Sequence, residues 1–340
     1  MSCPDNDGTE SDDAIERQLS WRMDPEESLS DWTLIVRTED TTVSKEYHVH
    51  RPILAVGPCK SDYFASLFRL PMRETTTKTS DIEMEKDAAD AVPLMLDFMY
   101  SDELGIVTSE QAVSLRYLSE YFAIKMLHRK VMSFVNEDMN VTNVHRYLQS
   151  AKMFHDEMIL SMAQRQCIVN IKQMDTTSVL LPSLDPQFFY EVISSPDLET
   201  ISVSCHISTL VAAYGRLHQG DLCREMFDQL TDIRHMPVID KKCAIRLLQL
   251  SVAAHPTTTS PGTDDMKTIK STTCLQKRCI QVISEHWREF DGTRTIFILS
   301  TLPPIVIAEL YGRTIENAKN EMAVVEFELQ ERRRGFRSRP

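Results

Sequence analysis

His48 and His50, two residues apart, are the first pair in this sequence whose types and spacing could do chemistry. On a strand that interval puts both rings on one face, where they could begin a metal site. Completing the site takes further Cys, Asp or Glu ligands, and no such cluster stands nearby, so the pair is read as structural. Cys274, Cys279 and His286 lack the tight Cys pairing of a zinc site. Asp291-Gly292-Thr293 has the residue order of an aspartic protease triplet, but one tripeptide among helical patterns reads as a turn. The chain contains no Gly-x-x-x-x-Gly-Lys-(Ser/Thr), no Gly-x-Gly-x-x-Gly and no Gly-x-Ser-x-Gly. With nine glycines in 340 residues, it is poor in the close backbone approaches that phosphate cradles need. The expectation is a protein that is not an enzyme, with no catalytic residues, cofactor or metal.

Charge and cysteine usage narrow the remaining classes. The net charge is -13 and the sequence pI about 5.3, which disfavours nucleic acid and anionic membrane as partners. Positive charge gathers at the end, in Arg332, Arg333, Arg334, Arg337 and Arg339, and residues 326–340 read as a basic, solvated tail. The eight cysteines, at 3, 59, 167, 205, 223, 243, 274 and 279, include no Cys-x-x-Cys. With no secretory signal at the N-terminus, reduced thiols inside a cell, cytoplasmic or nuclear, are expected. The richest apolar stretch, near Ile296 to Leu310, is interrupted by Ser300, Pro303, Pro304 and Glu309, so no membrane span is expected.

The elements that would position any functional side chain follow from periodicity. Residues 1–30 open on Asp, Glu, Ser and Asn and read as mostly disordered, with a short helix over 13–23 carrying Ile15 and Leu19. Leu34 and Val36 alternate with Thr33 and Ile35 in a first strand, and Val43 to His50 gives a second, so the two read as a hairpin. Pro52 fits the first turn of a short helix ending near Gly57-Pro58. A second helix spans Lys60 to Leu70 with Phe64, Leu67 and Phe68 inward. Asp81 to Glu85 alternate as a strand, Asp87 caps a helix carrying Ala91, Leu94, Met95, Phe98 and Met99, and Thr108-Ser109-Glu110-Gln111 is a capping box. That box opens a helix with Ala112, Leu115, Leu118 and Phe122, followed by another through Leu127, Val131 and Phe134.

Asp31-Trp32-Thr33-Leu34-Ile35-Val36, then Glu46 to Ala55 around His50-Arg51-Pro52-Ile53-Leu54, then Asp62-Tyr63-Phe64-Ala65-Ser66-Leu67-Phe68, together resemble the opening of a BTB/POZ domain. The later helix ending Met99-Tyr100-Ser101-Asp102 is similar to that family as well. The resemblance implies an α+β interaction domain, a small sheet with helices, over 31–137. It also implies a cullin-3 contact at Met72-Arg73-Glu74, in the loop leaving the second helix, where the family's adaptors carry a hydrophobic-x-Glu motif, and a supporting segment at Phe122-Ala123-Ile124. Asp31 and Arg51 match two charged residues that lie near the family's dimer interface and form a charged pocket in its transcription factors. Here they are read as an ion pair within the domain.

Beyond the domain the pattern is helical throughout, giving an all-α region. Arg146 to Ala151, Met158 to Ile171 and Phe188 to Ile193 resemble the BACK domain that often follows BTB, over 138–236. Three landmarks recur: Arg146-Tyr147-Leu148-Gln149 answers to Arg246-Leu247-Leu248-Gln249, Gln164 to Ile168 answers to Gln276 to Ile280, and Leu184-Asp185-Pro186 answers to Leu302-Pro303-Pro304. Residues 237–325 are accordingly expected to repeat the first helical unit, interrupted by a Pro-, Thr- and Ser-rich mobile loop at 255–273.

The functional expectation is a protein-interaction adaptor. It would be a homodimer that joins a cullin-3 type scaffold to an unidentified protein substrate and directs ubiquitin transfer. The alternative is a non-ligase scaffold, or a transcription-associated protein, in which BTB pairing brings two helical interaction surfaces together.

Overall fold

A computed structural model describes residues 19–38, 41–177, 179–255, 272–290, 299 and 301–337. The chain divides into two compact units, Met1–Met139 with Ser150–Asp156, and Asn140–Gln149 with Glu157–Pro340.

The first unit is built on a three-stranded sheet, β1 (Trp32–Thr38), β2 (Thr41–Val49) and β3 (Thr79–Met84), with β1 in the centre. β1 pairs antiparallel with β2 and parallel with β3. The alternation holds on β1, whose Trp32, Leu34 and Val36 are buried, and on β3, whose Ile82 and Met84 are buried while Asp81 and Glu83 are exposed. One face therefore packs on helices.

Before the sheet, residues 1–18, with Ile15 and most of the expected lead helix, lie outside the described residues. From 19 onward the chain is neither helix nor loose strand: Met23 N–H bonds back to Ser20 in a turn, followed by α1 (Pro25–Ser28), which Asp24 caps. Trp21 donates to Asp97 at 2.8 Å and meets the Tyr47 ring edge-on at 5.3 Å. Sequence periodicity pointed to a helix here because Leu19 is apolar, but the Trp21 contact fixes a turn instead.

After β2 come α2 (Arg51–Ala55), α3 (Asp62–Leu67) and α4 (Arg73–Thr77), and after β3 come α5 (Lys86–Ser101), α6 (Ser109–Tyr121) and α7 (Lys125–Asp138). Asp87 does not cap α5. The helix starts directly after β3, so Glu85 holds the cap position and Asp87 falls in the first turn, where its charge still suits the positive helix end. The Thr108/Gln111 capping box forms as expected, with both reciprocal bonds present. Ala88, Ala91, Val92, Met95, Leu96 and Phe98 of α5 and Leu115 and Leu118 of α6 are buried and make the helical side of the core.

The second unit is helical. α8 (Val144–Met153) passes from this unit into the first at Ser150, and α9 (Glu157–Val169) follows. Next come α10 (Leu180–Ser183), α11 (Pro186–Ile193), α12 (Thr200–Leu217), α13 (Arg224–Leu230), α14 (Lys241–Ala254), α15 (Cys274–Glu285) and α16 (Pro304–Arg337). The α11 ring of Phe189 stacks on Tyr214 of α12 at 4.5 Å, and the Tyr214 hydroxyl donates to Leu184 O at 3.0 Å. Ser204 and Ser208, one turn apart on α12, hold the strand of chain leading into α14. Ser204 bonds both groups of Val238, at 2.7 and 2.8 Å, and Ser208 accepts from Asp240 N–H at 2.9 Å. Gly215 lets α14 approach closely, since a Cβ there would meet Leu250 at 2.8 Å.

Tyr147 and Leu148 of α8 and Leu247 and Leu248 of α14 are all buried, as are Cys167 of α9 and Cys279 of α15. Leu184 and Leu302 are buried just before the prolines that begin α11 and α16. Most of the expected loop at 255–273 lies outside the described residues, as do Asp291-Gly292-Thr293. The tail expected from 326 is not separate from what precedes it: α16 runs without a break from Pro304 to Arg337.

Candidate functional site

His48 and His50 are engaged by different partners. β2 ends at Val49, and His50, its backbone still extended, is the residue before α2, where its Nε2 donates to Ser28 O at 2.7 Å and its Nδ1 accepts from the Tyr100 hydroxyl at 2.7 Å. His48 lies beside Thr33 on the neighbouring strand, 3.4 Å from its hydroxyl. Burial, and then the bond to His50, shift the Tyr100 phenol, and the net effect lifts it to about 12. Among the described residues no group of three or more His, Cys, Asp or Glu could hold a metal ion.

Asp31 and Arg51 meet. Asp31 accepts from Arg51 N–H at 2.8 Å and from its Nε at 2.7 Å, tying the start of β1 to the first turn of α2. Burial raises the Asp31 carboxyl, but the two bonds and the charge of Arg51 outweigh it, so the group lies below its ordinary 3.8. The Arg51 guanidinium also lies over the Phe68 ring, 5.9 Å from its centroid.

Met72, Arg73 and Glu74 are not on a loop. They form the first turn of α4, because Thr75 Oγ1 accepts from Met72 N–H at 2.9 Å and donates to Met72 O at 2.6 Å, closing the turn. That turn holds Met72 outward, 45% exposed, beside the exposed Leu70. Unbranched Met is suited to entering a partner's groove.

A clasp between two distant stretches fixes the start of α3. Ser61 caps α3 by accepting from Phe64 N–H at 3.0 Å, and its hydroxyl donates to Phe122 O at 2.5 Å. Asp62 N–H donates to Ala123 O at 3.2 Å, and Lys125 pairs with Asp62 at 2.7 Å. Ala123 turns the chain there with φ 51°, a left-handed value that side chains seldom adopt.

Phe122 belongs to the core. It is 0% exposed, stacked on Phe64 at 5.2 Å, and so cannot offer its ring to a partner. The aromatic surface comes from residues that the sequence reading passed over. Tyr63 lies 6.1 Å from Tyr121, Tyr121 lies 6.1 Å from Tyr117, and Tyr117 stacks on Phe154 at 4.9 Å. Tyr121 is exposed, and burial, then the neighbouring Tyr121 and the Glu74 carboxylate, raise the Tyr63 phenol above its ordinary value. The spacing of Tyr117 and Tyr121, one helical turn apart, was the available signal.

The first unit is thus a three-stranded mixed sheet covered by helices, with Met72 and Tyr121 exposed. Residues 22–139 match the family model described as BTB/POZ domain. The chain thus carries a BTB/POZ domain followed by a helical region, and it is a protein–protein interaction protein. No curated protein matches it. No described helix is long and apolar enough to cross a membrane.

Proposed function

We propose that the chain is a substrate-recognition subunit of a cullin-3 ubiquitin ligase. The observation that carries this is Met72, held outward by the first turn of α4 beside Leu70 and Glu74, at the place where BTB adaptors carry their hydrophobic-x-Glu contact. Tyr63 and Tyr121 extend that face with aromatic surface that binds at little entropic cost. The BTB domain pairs as a homodimer, and the helical region, a BACK-like unit and its repeat, holds the substrate. No residue of the chain takes part in ubiquitin chemistry; its work is positioning.

Calorimetry of the full chain with purified cullin-3 tests the contact. Changing Met72 and Glu74 together to Ala, with the fold intact, is expected to cost about 2 kcal/mol, roughly thirtyfold in affinity. Unchanged binding removes the assignment of this turn. Light scattering tests pairing, since the mass of a single 39.0 kDa chain at micromolar concentration rules the homodimer out. A dimer that ignores cullin-3 would make the chain a scaffold instead.

A further inference from the structure

Packing does not place α4. The helix is five residues long, and none of the five is buried. A single turn of helix is not stable on its own, so propensity does not account for its order either. The ends of the stretch are tied to the rest of the unit. Leu70 N–H donates to Leu67 O of α3 at 3.2 Å, and Thr79, where β3 begins, pairs with Thr33 of β1. Between those ties, the side chain that closes the Leu70-Pro71-Met72 bend is Thr75. Its Oγ1 accepts from Met72 N–H at 2.9 Å and shares its one proton between Met72 O at 2.6 Å and Leu70 O at 3.0 Å. Met72 N–H also donates to Leu70 O at 2.9 Å, across Pro71.

One hydroxyl thus holds the backbone of both residues whose apolar side chains stand open here, Leu70 and Met72, each 45% exposed. With the hydroxyl removed, water can take its place on the two carbonyls, so the domain stays folded. The two side chains, however, lose their common direction. A binding face that is formed only part of the time binds more weakly by that fraction.

We infer that Thr75 is a positioning residue for the partner contact: its hydroxyl holds Leu70 and Met72 as one preformed apolar pair, and affinity depends on it through them. This rests on the reading of the Met72 turn as the cullin-3 contact.

The test is calorimetry of the full chain with purified cullin-3. Thr75→Val removes the hydroxyl and keeps the branched shape, and is expected to weaken binding about fivefold, the worth of roughly one hydrogen bond. Its thermal midpoint should match the wild type, because no residue of α4 is buried. Thr75→Ser keeps the hydroxyl and should bind as the wild type does. In a Met72→Ala background the valine change should cost less than in the wild type, since part of what the hydroxyl holds is then gone. Should the valine variant not fold, Thr75→Ala removes the same hydroxyl and is read in the same way. The inference is overturned if Thr75→Val binds as tightly as the wild type while Met72→Ala with Glu74→Ala does not, an outcome that leaves the cullin-3 reading standing. It is overturned too if Thr75→Ser loses as much as Thr75→Val, or if the valine loss persists in full without Met72, since Thr75 would then not act through that side chain. A wild-type chain that does not bind cullin-3 overturns both.

Discussion

Arg116 of α6 and Asp156, forty residues apart in sequence, form an ion pair whose two side chains are almost wholly buried in the first unit. Glu120 accepts from the same guanidinium at 2.8 Å from the surface side. Two charges removed from water hold only while paired, so removing one is costlier than never having had either. Asp156→Ala should destabilise the chain by about 3–5 kcal/mol, and the double Arg116→Met/Asp156→Leu change by much less. Urea denaturation of the two variants beside the wild type checks this; equal losses in single and double variants would mean the pair is not what holds the segment.

Neighbouring aromatics should separate by function. Phe122→Ala is expected to cost about 3–5 kcal/mol of stability, because it empties the stack on Phe64. Tyr121→Ala, one residue earlier and exposed, should change the thermal midpoint little and weaken cullin-3 binding. A Tyr121→Ala variant with unaltered cullin-3 affinity would take the tyrosine ladder out of the contact.

Thiol reactivity should sort by burial. Burial, with help from the Asp102 carboxylate, pushes Cys59 up to about 12, burial alone does the same to Cys167, and Cys243 stands at about 11. Cys279 is shifted upward by burial too. The thiolate is the reacting form, so iodoacetamide on the native chain should label the exposed Cys205, Cys223 and Cys274 and spare these four. Peptide mapping after a short pulse gives the answer, and early labelling of Cys167 or Cys279 would show that the second unit opens.

His235 supplies a pH dependence. It is buried with Nε2 donating to Leu230 O at 3.0 Å, and burial holds it below its ordinary 6.5, aided by the charges of Arg234 and Arg278 against that of Asp232. As pH falls below 6.5 the unfolded chain takes up a proton that the folded ring resists. The stability contributed by neutral His235 is therefore complete above 6.5 and lost as pH falls toward the folded value, at up to about 1.4 kcal/mol per unit. His235→Gln should flatten that part of the stability profile. An identical slope in the variant would assign it to other groups.

The strands and most helices of the first unit were legible because burial there follows simple periods: Leu34 and Val36 at two, Ala112, Leu115, Leu118 and Phe122 at three to four. The capping box at Thr108 was legible because its partners are three residues apart. Bonds between distant stretches were not. Nothing local says that Ser61 will reach Phe122, that Trp21 will reach Asp97, or that Ser204 and Ser208 will be buried to hold Val238 and Asp240. Phe122 fell on the apolar face of its helix by period and in the partner contact by resemblance, and only the ring of Phe64, far back in the sequence, shows it stacked in the core. The turn at Met72 was read as a loop because Thr75, which closes it, is a poor helix former in isolation.

The Ser61 to Phe122 clasp also sets an order of events during synthesis. Its partners are 61 residues apart, so at about 5–20 residues per second Ser61 and Phe64 leave the ribosome some 3–12 seconds before the carbonyl and ring that complete them. Through that interval the Phe64 face has no Phe122 to stack on and the start of α3 lacks the carbonyls that tie it down. The nascent chain is then exposed to chaperones and to other nascent chains, and the partner face comes into being only with the arrival of Phe122 and Ala123.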